Sequence, residues 1–269
     1  MNRVDRAFEE ARRSQRRLLM PFICGGFPRP GLTGPLLAAL ERGGASIVEV
    51  GIPFSDPIAD GPVIAGAMHR AIEAGTTPES IFEEVGAVRD TIGIGMVAMV
   101  SVTIVHRLGG REGFIERASE VGFDGLIIPD LPLEDSGAYR ERCSEIGMTF
   151  SHLVAPTTPR DRATSLAKGS TGFVYLLART GITGERTDAP DVAERVAGLR
   201  RSTDLPIACG FGVSTPEHVR AVVAHADAAI VGSAVVRRLD RAIESGGDPV
   251  EAAEAFTREL ATGLAGPPG

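Results

Sequence analysis

The most constraining feature of this chain is an alternation of short apolar, β-rich runs with segments of helical periodicity. The β-rich runs recur roughly every 25 residues. They are Met20–Cys24, Ile47–Val50, Met96–Val102, Gly125–Ile128, Thr149–Val154, Phe173–Leu177, Pro206–Cys209 and Ala228–Val231. Strands that alternate with helices indicate a parallel sheet, and eight such units in one domain indicate a closed barrel. The sequence therefore predicts an α/β fold, the (β/α)8 TIM barrel.

Segments in which apolar residues follow helical spacing separate the predicted strands. They are Leu32–Arg42, Pro78–Thr91, Arg111–Val121, Ser136–Gly147, Pro159–Lys168, Asp191–Arg201 and Pro216–His225. We also expect an extra N-terminal helix at Val4–Arg17, a short extra helix after strand eight at Val235–Ala242, and a closing helix at Pro249–Leu264. Because no linker or charge block divides the chain, we expect a single barrel domain over residues 1–269.

Charge and cysteine content argue against several classes of function. The net charge of −7 disfavours non-specific binding to nucleic acid or to anionic membranes. Three cysteines without CxxC spacing make neither a disulfide framework nor a zinc site, and we predict no metal. No run reaches the ~20 apolar residues of a membrane span, and the charged N-terminus lacks a signal-peptide pattern. We therefore expect a cytoplasmic protein without nucleic-acid or membrane partners.

Two carboxylates fall near the carboxyl end of predicted strand two, the end at which a TIM barrel carries its active site. Glu49 lies inside an apolar run, where burial would penalise its charged form and raise its pKa. Asp60 follows on a loop rich in glycine and proline. A buried acid and a loop acid at one strand end can hold different protonation states, which favours acid/base chemistry. The competing interpretations are an ion pair for Glu49 and a helix cap for Asp60.

Glycines after predicted strands seven and eight indicate a phosphate site. Gly210 and Gly212 follow strand seven, and Gly232 and Ser233 follow strand eight. Barrels often bind phosphate with these two loops and the N-terminus of a short helix, because backbone N–H groups and the helix dipole supply positive charge. Gly184, in the long loop after strand six, could complete the ring. The alternative is that these glycines only form turns.

Longer motifs add specificity to this pattern. They are Glu49–Pro62, Pro129–Pro132, Leu153–Thr158, Val174–Leu177 with Gly181–Gly184, Gly210–Gly212 and Gly232–Ser233. In order and spacing they resemble the landmarks of the tryptophan synthase alpha subunit family, over the stretch from Pro21 to Val236. The first motif is highly specific, whereas the glycine pairs alone would not be.

The resemblance implies a lyase that cleaves indole-3-glycerol phosphate to indole and glyceraldehyde 3-phosphate in L-tryptophan biosynthesis, without a cofactor. It implies that Glu49 is the general acid/base, that Asp60 stabilises positive charge at the indole N–H, and that Tyr175 lies beside Glu49. The other implied site residues are Phe22, Ile64, Val100, Ile127 and Phe211 around the indole ring, Gly184, Gly210, Gly212, Gly232 and Ser233 at the phosphate, and Arg179 and Thr183 in a closing loop. The implied partner is a tryptophan synthase beta subunit in an α2β2 heterotetramer.

The residues themselves agree with such a reaction, because aldol cleavage needs an electron sink and the chain lacks the two usual ones. A Schiff-base aldolase needs a lysine at the carboxyl face of the barrel, but Lys168, the single lysine, lies just before strand six on the opposite rim. A metal-dependent aldolase needs clustered ligands, and the five histidines are scattered. The substrate would then supply its own sink, as an indole protonated at C3 does.

One segment departs from the family pattern. After predicted strand three the family has one or two tyrosines and an asparagine, but Ser101–Arg107 contains neither an aromatic residue nor an amide. This region and the loop at Pro53–Pro57 face the beta subunit in the family. Two further hypotheses therefore stay open: a stand-alone lyase that releases free indole, and a non-catalytic module that binds the phosphorylated ligand and regulates a partner. For Tyr175, simple packing in the barrel wall is the alternative to a site role.

Overall fold

A computed structural model describes residues 1–57, 60–178, 192–210 and 212–265. Its strands are all parallel where they pair and are almost entirely buried. They are β1 (Leu18–Cys24), β2 (Ile47–Gly51), β3 (Gly95–Met99), β4 (Gly125–Ile127), β5 (Thr149–Phe150), β6 (Leu153–Val154), β7 (Val174–Leu177), β8 (Ile207–Gly210) and β9 (Ala228–Val231).

Helices follow the strands along the chain. They are α1 (Arg3–Arg13), α2 (Thr33–Arg42), α3 (Pro62–Glu73), α4 (Pro78–Val88), α5 (Val102–Arg107), α6 (Gly110–Glu120), α7 (Gly137–Glu145), α8 (Arg160–Gly169), α9 (Ala193–Arg200), α10 (Pro216–Val223), α11 (Ser233–Glu244) and α12 (Pro249–Ala261). Short 3₁₀ turns occur at Arg89–Thr91, Leu133–Asp135 and Thr262–Leu264. No helix in the described part of the chain has the length and apolar character needed to cross a bilayer.

The sheet has the order β5-β4-β3-β2-β1-β9-β8-β7-β6. Its two ends, β5 and β6, are separated in sequence by Ser151 and His152 alone, so the chain itself joins them. The Ser151 N–H donates to the Leu126 carbonyl on β4, while the Tyr175 N–H on β7 donates to the His152 carbonyl. The segment thus passes from pairing with β4 to pairing with β7, and this closes the predicted TIM barrel.

The prediction of one continuous fifth strand at Thr149–Val154 was wrong in this detail. The His152 N–H donates to the Ser170 side chain at 3.0 Å instead of continuing a strand ladder. Its imidazole lies in hydrogen-bond contact with Ser136 Oγ at 3.1 Å, and burial lowers the His152 pKa to about 4. A neutral, buried histidine with side-chain partners therefore interrupts the strand.

Two helices have no counterpart among the predicted helical segments, although the alternative interpretation of Asp60 as a cap implied a helix after it. Helix α3 begins at Pro62, inside what was predicted as a long loop, and buries Ile64, Ala67, Met68 and Ala71 at helical spacing. Helix α5 begins at Val102, so the prediction of a strand through this residue was wrong. A run of β-branched residues suggested the strand, but Ser101 caps a helix there by accepting a hydrogen bond from the Thr103 N–H.

Most other predicted elements are confirmed, with shifts at their ends. The N-terminal helix ends at Arg13 instead of Arg17, and the helix after the last strand begins at Ser233 instead of Val235. The predicted start at Pro216 is confirmed, because Thr215 accepts a hydrogen bond from the His218 N–H. The single domain expected over residues 1–269 stays a proposal.

Candidate active site

A cavity opens at the carboxyl ends of the strands and contains several predicted site residues. Its described lining includes Glu49 from β2, Tyr175 from β7 and Asp60, which precedes α3. Parallel strands bring their carboxyl ends to one rim, so residues distant in sequence meet there. The cavity wall is completed by apolar residues and by glycines at the ends of the last two strands.

Glu49 is the most unusual group in this cavity. It pairs in register with Phe22 on β1 and with Val97 on β3, and it is fully buried. Neither Oε1 nor Oε2 has a hydrogen-bond partner among the residues that the structure describes. Burial is the main cause that raises the pKa of Glu49 well above its usual range, and the nearby charge of Asp60 adds to the rise. The side chain is therefore held as a neutral acid beside the cavity.

Asp60 is less deeply buried and differs from Glu49 in protonation. Burial raises the pKa of Asp60 to about 6, so this group is mostly ionised at neutral pH. The N-cap residue of α3 is Gly61, and this helix has no side-chain cap. The alternative interpretation of Asp60 as a helix cap is therefore wrong. Burial thus raises the pKa of both carboxyl groups, and the fully buried Glu49 has the stronger cause, so the two can hold different protonation states, as acid/base chemistry with a pair of carboxylates requires.

Tyr175 lies within electrostatic reach of both carboxylates. Burial raises its pKa well above the usual range, and the charges of Glu49 and Asp60 contribute further. Its strand position faces Leu153 on β6 and Ala208 on β8. The phenol is thus a neutral, nearly buried group on the same cavity wall as Glu49.

The predicted indole pocket is assembled in part. Phe22 and Ile64 line the cavity with Glu49. Val100 lines a smaller adjoining cavity, which shares Asp60, Met99 and Pro129 with the first. Ile127 is buried in β4 opposite Met99 and is not among the described lining residues. Phe211 lies outside the described residues.

Gly51 leaves room for the Phe22 ring in this apolar wall. A Cβ at Gly51, the last residue of β2, would lie 2.5 Å from the Phe22 ring, so a side chain there would displace the ring. Further apolar residues of the wall that the sequence analysis did not identify are Met99, Pro129, Leu153, Leu177 and Ile230.

Predicted phosphate residues form a glycine-rich part of the cavity next to Ile64 and Phe22, because a Cβ at Gly232 would lie 3.5 Å from the former and 3.7 Å from the latter. Gly212, Gly232 and Ser233 all line the cavity, and Gly212 has the positive φ of 79° that glycine adopts without strain. Gly232 is the N-cap of α11, so the backbone N–H groups at Ser233 and Ala234 lie at the start of the helix, where no intrahelical acceptor is available. This arrangement can bind an anion.

Gly210 has a different surrounding from the other glycines. It ends β8, and a Cβ there would lie 2.7 Å from the Ile230 Cβ on β9. Its missing side chain thus allows β8 and β9 to pack, and Gly210 is not among the described lining residues. Gly184, Arg179 and Thr183 lie outside the described residues.

Two arginines near the site were missed by the sequence analysis. Arg237, on α11, lines the cavity at its glycine-rich part. Arg195, on α9, donates through Nη1 to the Ala178 carbonyl at 3.1 Å, just beyond the end of β7. Arg237 could have been found from its spacing, because it follows Ser233 by four residues and therefore shares a helix face with it. No local pattern marks Arg195.

The segment that departs from the family pattern is held by Asp130. Ser101 Oγ donates to Asp130 Oδ2 at 2.6 Å, and the Val102 N–H donates to Asp130 Oδ1 at 2.9 Å. Asp130 is therefore the carboxylate that anchors the start of α5, a helix on which Thr103, His106 and Arg107 are exposed. Ser101 and Asp130 both line the smaller cavity, so this segment borders the site.

The residues considered for other aldolase chemistries are not in this cavity. Lys168 lies near the end of α8, before the amino end of β7, as predicted. Among the described residues, no group of three histidine, cysteine or carboxylate side chains could hold a metal ion.

Comparison with known proteins agrees with this geometry. A family model described as "Tryptophan synthase alpha chain" matches residues 8–265. The tryptophan synthase alpha chain of Solibacter usitatus is 40% identical over 266 residues, which cover 98% of each chain. The tryptophan synthase alpha chain of Halorhodospira halophila is 42% identical over 89% of this chain and 88% of its own length. The crystal structure of tryptophan synthase subunit alpha from Legionella pneumophila superposes with a TM-score of 0.87 at 31% identity, covering 98% of both chains. With the family model spanning nearly the whole sequence, the chain belongs to the tryptophan synthase alpha chain family.

Proposed function

We propose that this protein is a lyase that cleaves indole-3-glycerol phosphate to indole and glyceraldehyde 3-phosphate, as the alpha subunit of a tryptophan synthase. Membership in the alpha chain family supports the reaction. The observation that carries the proposal is Glu49, a buried acid without a hydrogen-bond partner in the described structure, beside a cavity. An unpaired buried carboxyl is costly for the fold, and a catalytic role accounts for its presence.

Glu49 can complete the proton transfers of a retro-aldol step alone. In its neutral form the carboxyl donates its proton to C3 of the indole, and the ring then carries a positive charge. The resulting carboxylate accepts the proton of the hydroxyl on the adjacent glycerol carbon. The bond between that carbon and C3 breaks, its electron pair returns to the ring, and the carbon becomes the aldehyde. The acid is regenerated, so no external proton donor is needed.

Asp60 stabilises the intermediate of this reaction in our proposal. Protonation at C3 puts positive charge on the indole nitrogen, and an ionised carboxylate in a cavity of low polarity stabilises such a charge strongly. A pKa of about 6 leaves Asp60 ionised at neutral pH while Glu49 stays protonated. In our proposal Tyr175 is a neutral phenol on the cavity wall, within electrostatic reach of both carboxyl groups.

The glycine-rich part of the cavity would bind the phosphate. Gly212, Gly232 and the start of α11 at Ser233 offer backbone N–H groups and the positive end of a helix dipole. This anchors the glycerol chain and brings the indole ring against Phe22 and Ile64. Binding of the distant phosphate thus positions the reacting carbon near Glu49.

The proposed partner is a beta subunit in an α2β2 complex, which would consume the indole. The family supports a partner of this kind, and a cytoplasmic location is proposed with it. The different segment at Ser101–Arg107 favours a second candidate, a lyase that releases free indole without a beta subunit. Turnover of the isolated protein decides between them: a large rise in indole formation on adding a beta subunit supports the first, and full activity alone supports the second.

The central test is an indole-release assay on Glu49→Gln. The amide has the shape of the acid but cannot donate the proton, so we expect kcat to fall at least 1,000-fold, on the order of the loss when a general acid is removed. Binding of glycerol 3-phosphate should persist. Glu134→Gln is the matched control, because Glu134 is an exposed partner of Arg162 outside the cavity. Activity of Glu49→Gln within a few-fold of wild type would remove Glu49 from this role.

A further inference from the structure

Arg237 is a positively charged side chain on the cavity wall. The described lining residues include the carboxyl groups of Glu49 and Asp60, and Arg237 is the single cation among them. It lies on α11, the helix that starts at Ser233 in the glycine-rich part of the cavity. The remaining arginines of this helix, Arg238 and Arg241, are not among the lining residues.

Helix geometry directs Arg237 toward the start of α11. Residues at positions i and i+4 share one face of a helix, so Arg237 lies one turn beyond Ser233 on the same side. Side chains in a helix lean toward its N-terminus, which carries a long arginine back along the helix to the first turn. Arg237 and the residues at the start of α11 line the same cavity, which agrees with this geometry.

The negative charge of the substrate and of the protein favours a positively charged side chain in the cavity. The substrate carries a phosphate of nearly two negative charges, the cavity holds two carboxyl groups, and the whole chain has a net charge of −7. Backbone N–H groups and a helix dipole supply only partial positive charge. A guanidinium adds a full charge and a fork of donors that matches phosphate oxygens, and its five N–H groups can serve more than one partner.

We propose that Arg237 binds the substrate phosphate directly, together with the backbone N–H groups at the start of α11. A second observation shows that the cavity is built for a ligand: the fully buried Glu49 carboxyl lines the same cavity and has no hydrogen-bond partner in the described structure. The inference rests on the proposed function and adds to it a charged residue that sets the preference for phosphorylated substrates.

The test compares Arg237→Gln with Arg238→Gln. Both remove one positive charge from adjacent positions of α11, but Arg238 pairs with Glu259 at 3.1 Å and stacks over Phe256 at 4.8 Å, away from the cavity. For Arg237→Gln we expect the KM for indole-3-glycerol phosphate and the Kd of glycerol 3-phosphate to rise about tenfold to 100-fold, as for the loss of a charge-assisted hydrogen bond. The kcat should stay within about twofold, because the phosphate is bound equally in ground and transition states.

Additional measurements distinguish a loss of phosphate binding from a loss of folding. Thermal unfolding reports whether Arg237→Gln is intact, and binding of indole, which has no phosphate, should be unchanged. Arg237→Lys keeps the charge and loses the fork, so its KM should lie between those of wild type and Arg237→Gln. The Kd of glycerol 3-phosphate should also depend less on salt in Arg237→Gln than in wild type.

The outcomes separate this inference from the proposed function. If wild type binds glycerol 3-phosphate and releases indole while Arg237→Gln matches it in KM and Kd, the role of Arg237 is refuted and the proposed function stands. An equal effect of Arg238→Gln also refutes it, because the effect would then come from helix charge in general. If wild type itself neither binds glycerol 3-phosphate nor releases indole, the proposed function fails, and this inference fails with it.

Discussion

Replacing Glu49 by glutamine should stabilise the fold increasingly as the pH rises, even as it removes activity. Both carboxyl oxygens are buried without a partner in the described structure, so the charged form of Glu49 is disfavoured in the folded state. In the unfolded chain the Glu49 carboxyl has its ordinary pKa of about 4.5. Between that pH and the higher pKa of the folded state, the unfolded chain releases a proton that the folded chain keeps. The free energy of unfolding of wild type therefore falls as the pH rises through this range.

The magnitude follows from proton linkage. Below pH 4.5 both states of wild type hold the proton, and the Glu49 carboxyl causes no pH-dependent loss. Above it, the free energy of unfolding of wild type falls by about 1.4 kcal/mol per pH unit relative to Glu49→Gln, up to the folded pKa. Titration of the other groups contributes equally to both proteins. It therefore cancels in the difference between their free energies of unfolding, apart from the coupling of Glu49 to Asp60.

Urea unfolding at pH 5, 6, 7 and 8 measures this difference. We expect the free energy of unfolding of Glu49→Gln minus that of wild type to grow with pH at nearly the linkage slope. Glu244→Gln, on the exposed last turn of α11, reports any general effect of changing a glutamate to glutamine. A difference that stays flat from pH 5 to pH 8 would refute the conclusion that Glu49 is held as a neutral acid, and with it the acid role.

Three further predictions concern the second carboxylate, the glycine at the start of α11 and the glycine between β8 and β9. Burial raises the Asp60 pKa to about 6, so this carboxylate takes up a proton below that pH. For wild type, kcat/KM should therefore fall about tenfold per pH unit below pH 6. Asp60→Asn should be slower, and its pH–rate profile should lack this decline on the acid side. Gly232→Ala should raise KM several-fold without lowering the melting temperature, because its Cβ would lie at an ordinary 3.5 Å from Ile64 while it crowds the phosphate. By contrast, Gly210→Ala should lower the free energy of unfolding by about 1–3 kcal/mol, because its Cβ would lie 2.7 Å from the Ile230 Cβ. An unchanged KM for Gly232→Ala, or an unchanged stability for Gly210→Ala, would contradict these assignments.

The sequence by itself determined the type of fold and singled out the carboxyl group that we propose as the acid. Regular alternation of strand and helix patterns is enough to specify a parallel barrel, because each pattern follows from which side chains can be buried. Glu49 stood out because a carboxylate in an apolar strand conflicts with its surroundings. The glycines after the last two predicted strands pointed to an anion site, because glycine lets the backbone approach a ligand closely.

Tertiary structure decided what depends on contacts between distant segments. The break of the fifth strand at His152 requires Ser136 and Ser170, and the helix that begins at Val102 requires Asp130, which lies 28 residues further along the chain. Gly210 and Gly232 follow predicted strands in the same way, but in the structure Gly210 ends β8 and faces Ile230 on β9, whereas Gly232 lines the cavity. The spacing to Ser233 places Arg237 on the same face of α11, but only the packed barrel shows that this face lines the cavity. A local pattern states which groups can be buried or exposed, whereas the direction of a side chain and its partners are fixed by the packing of the whole barrel.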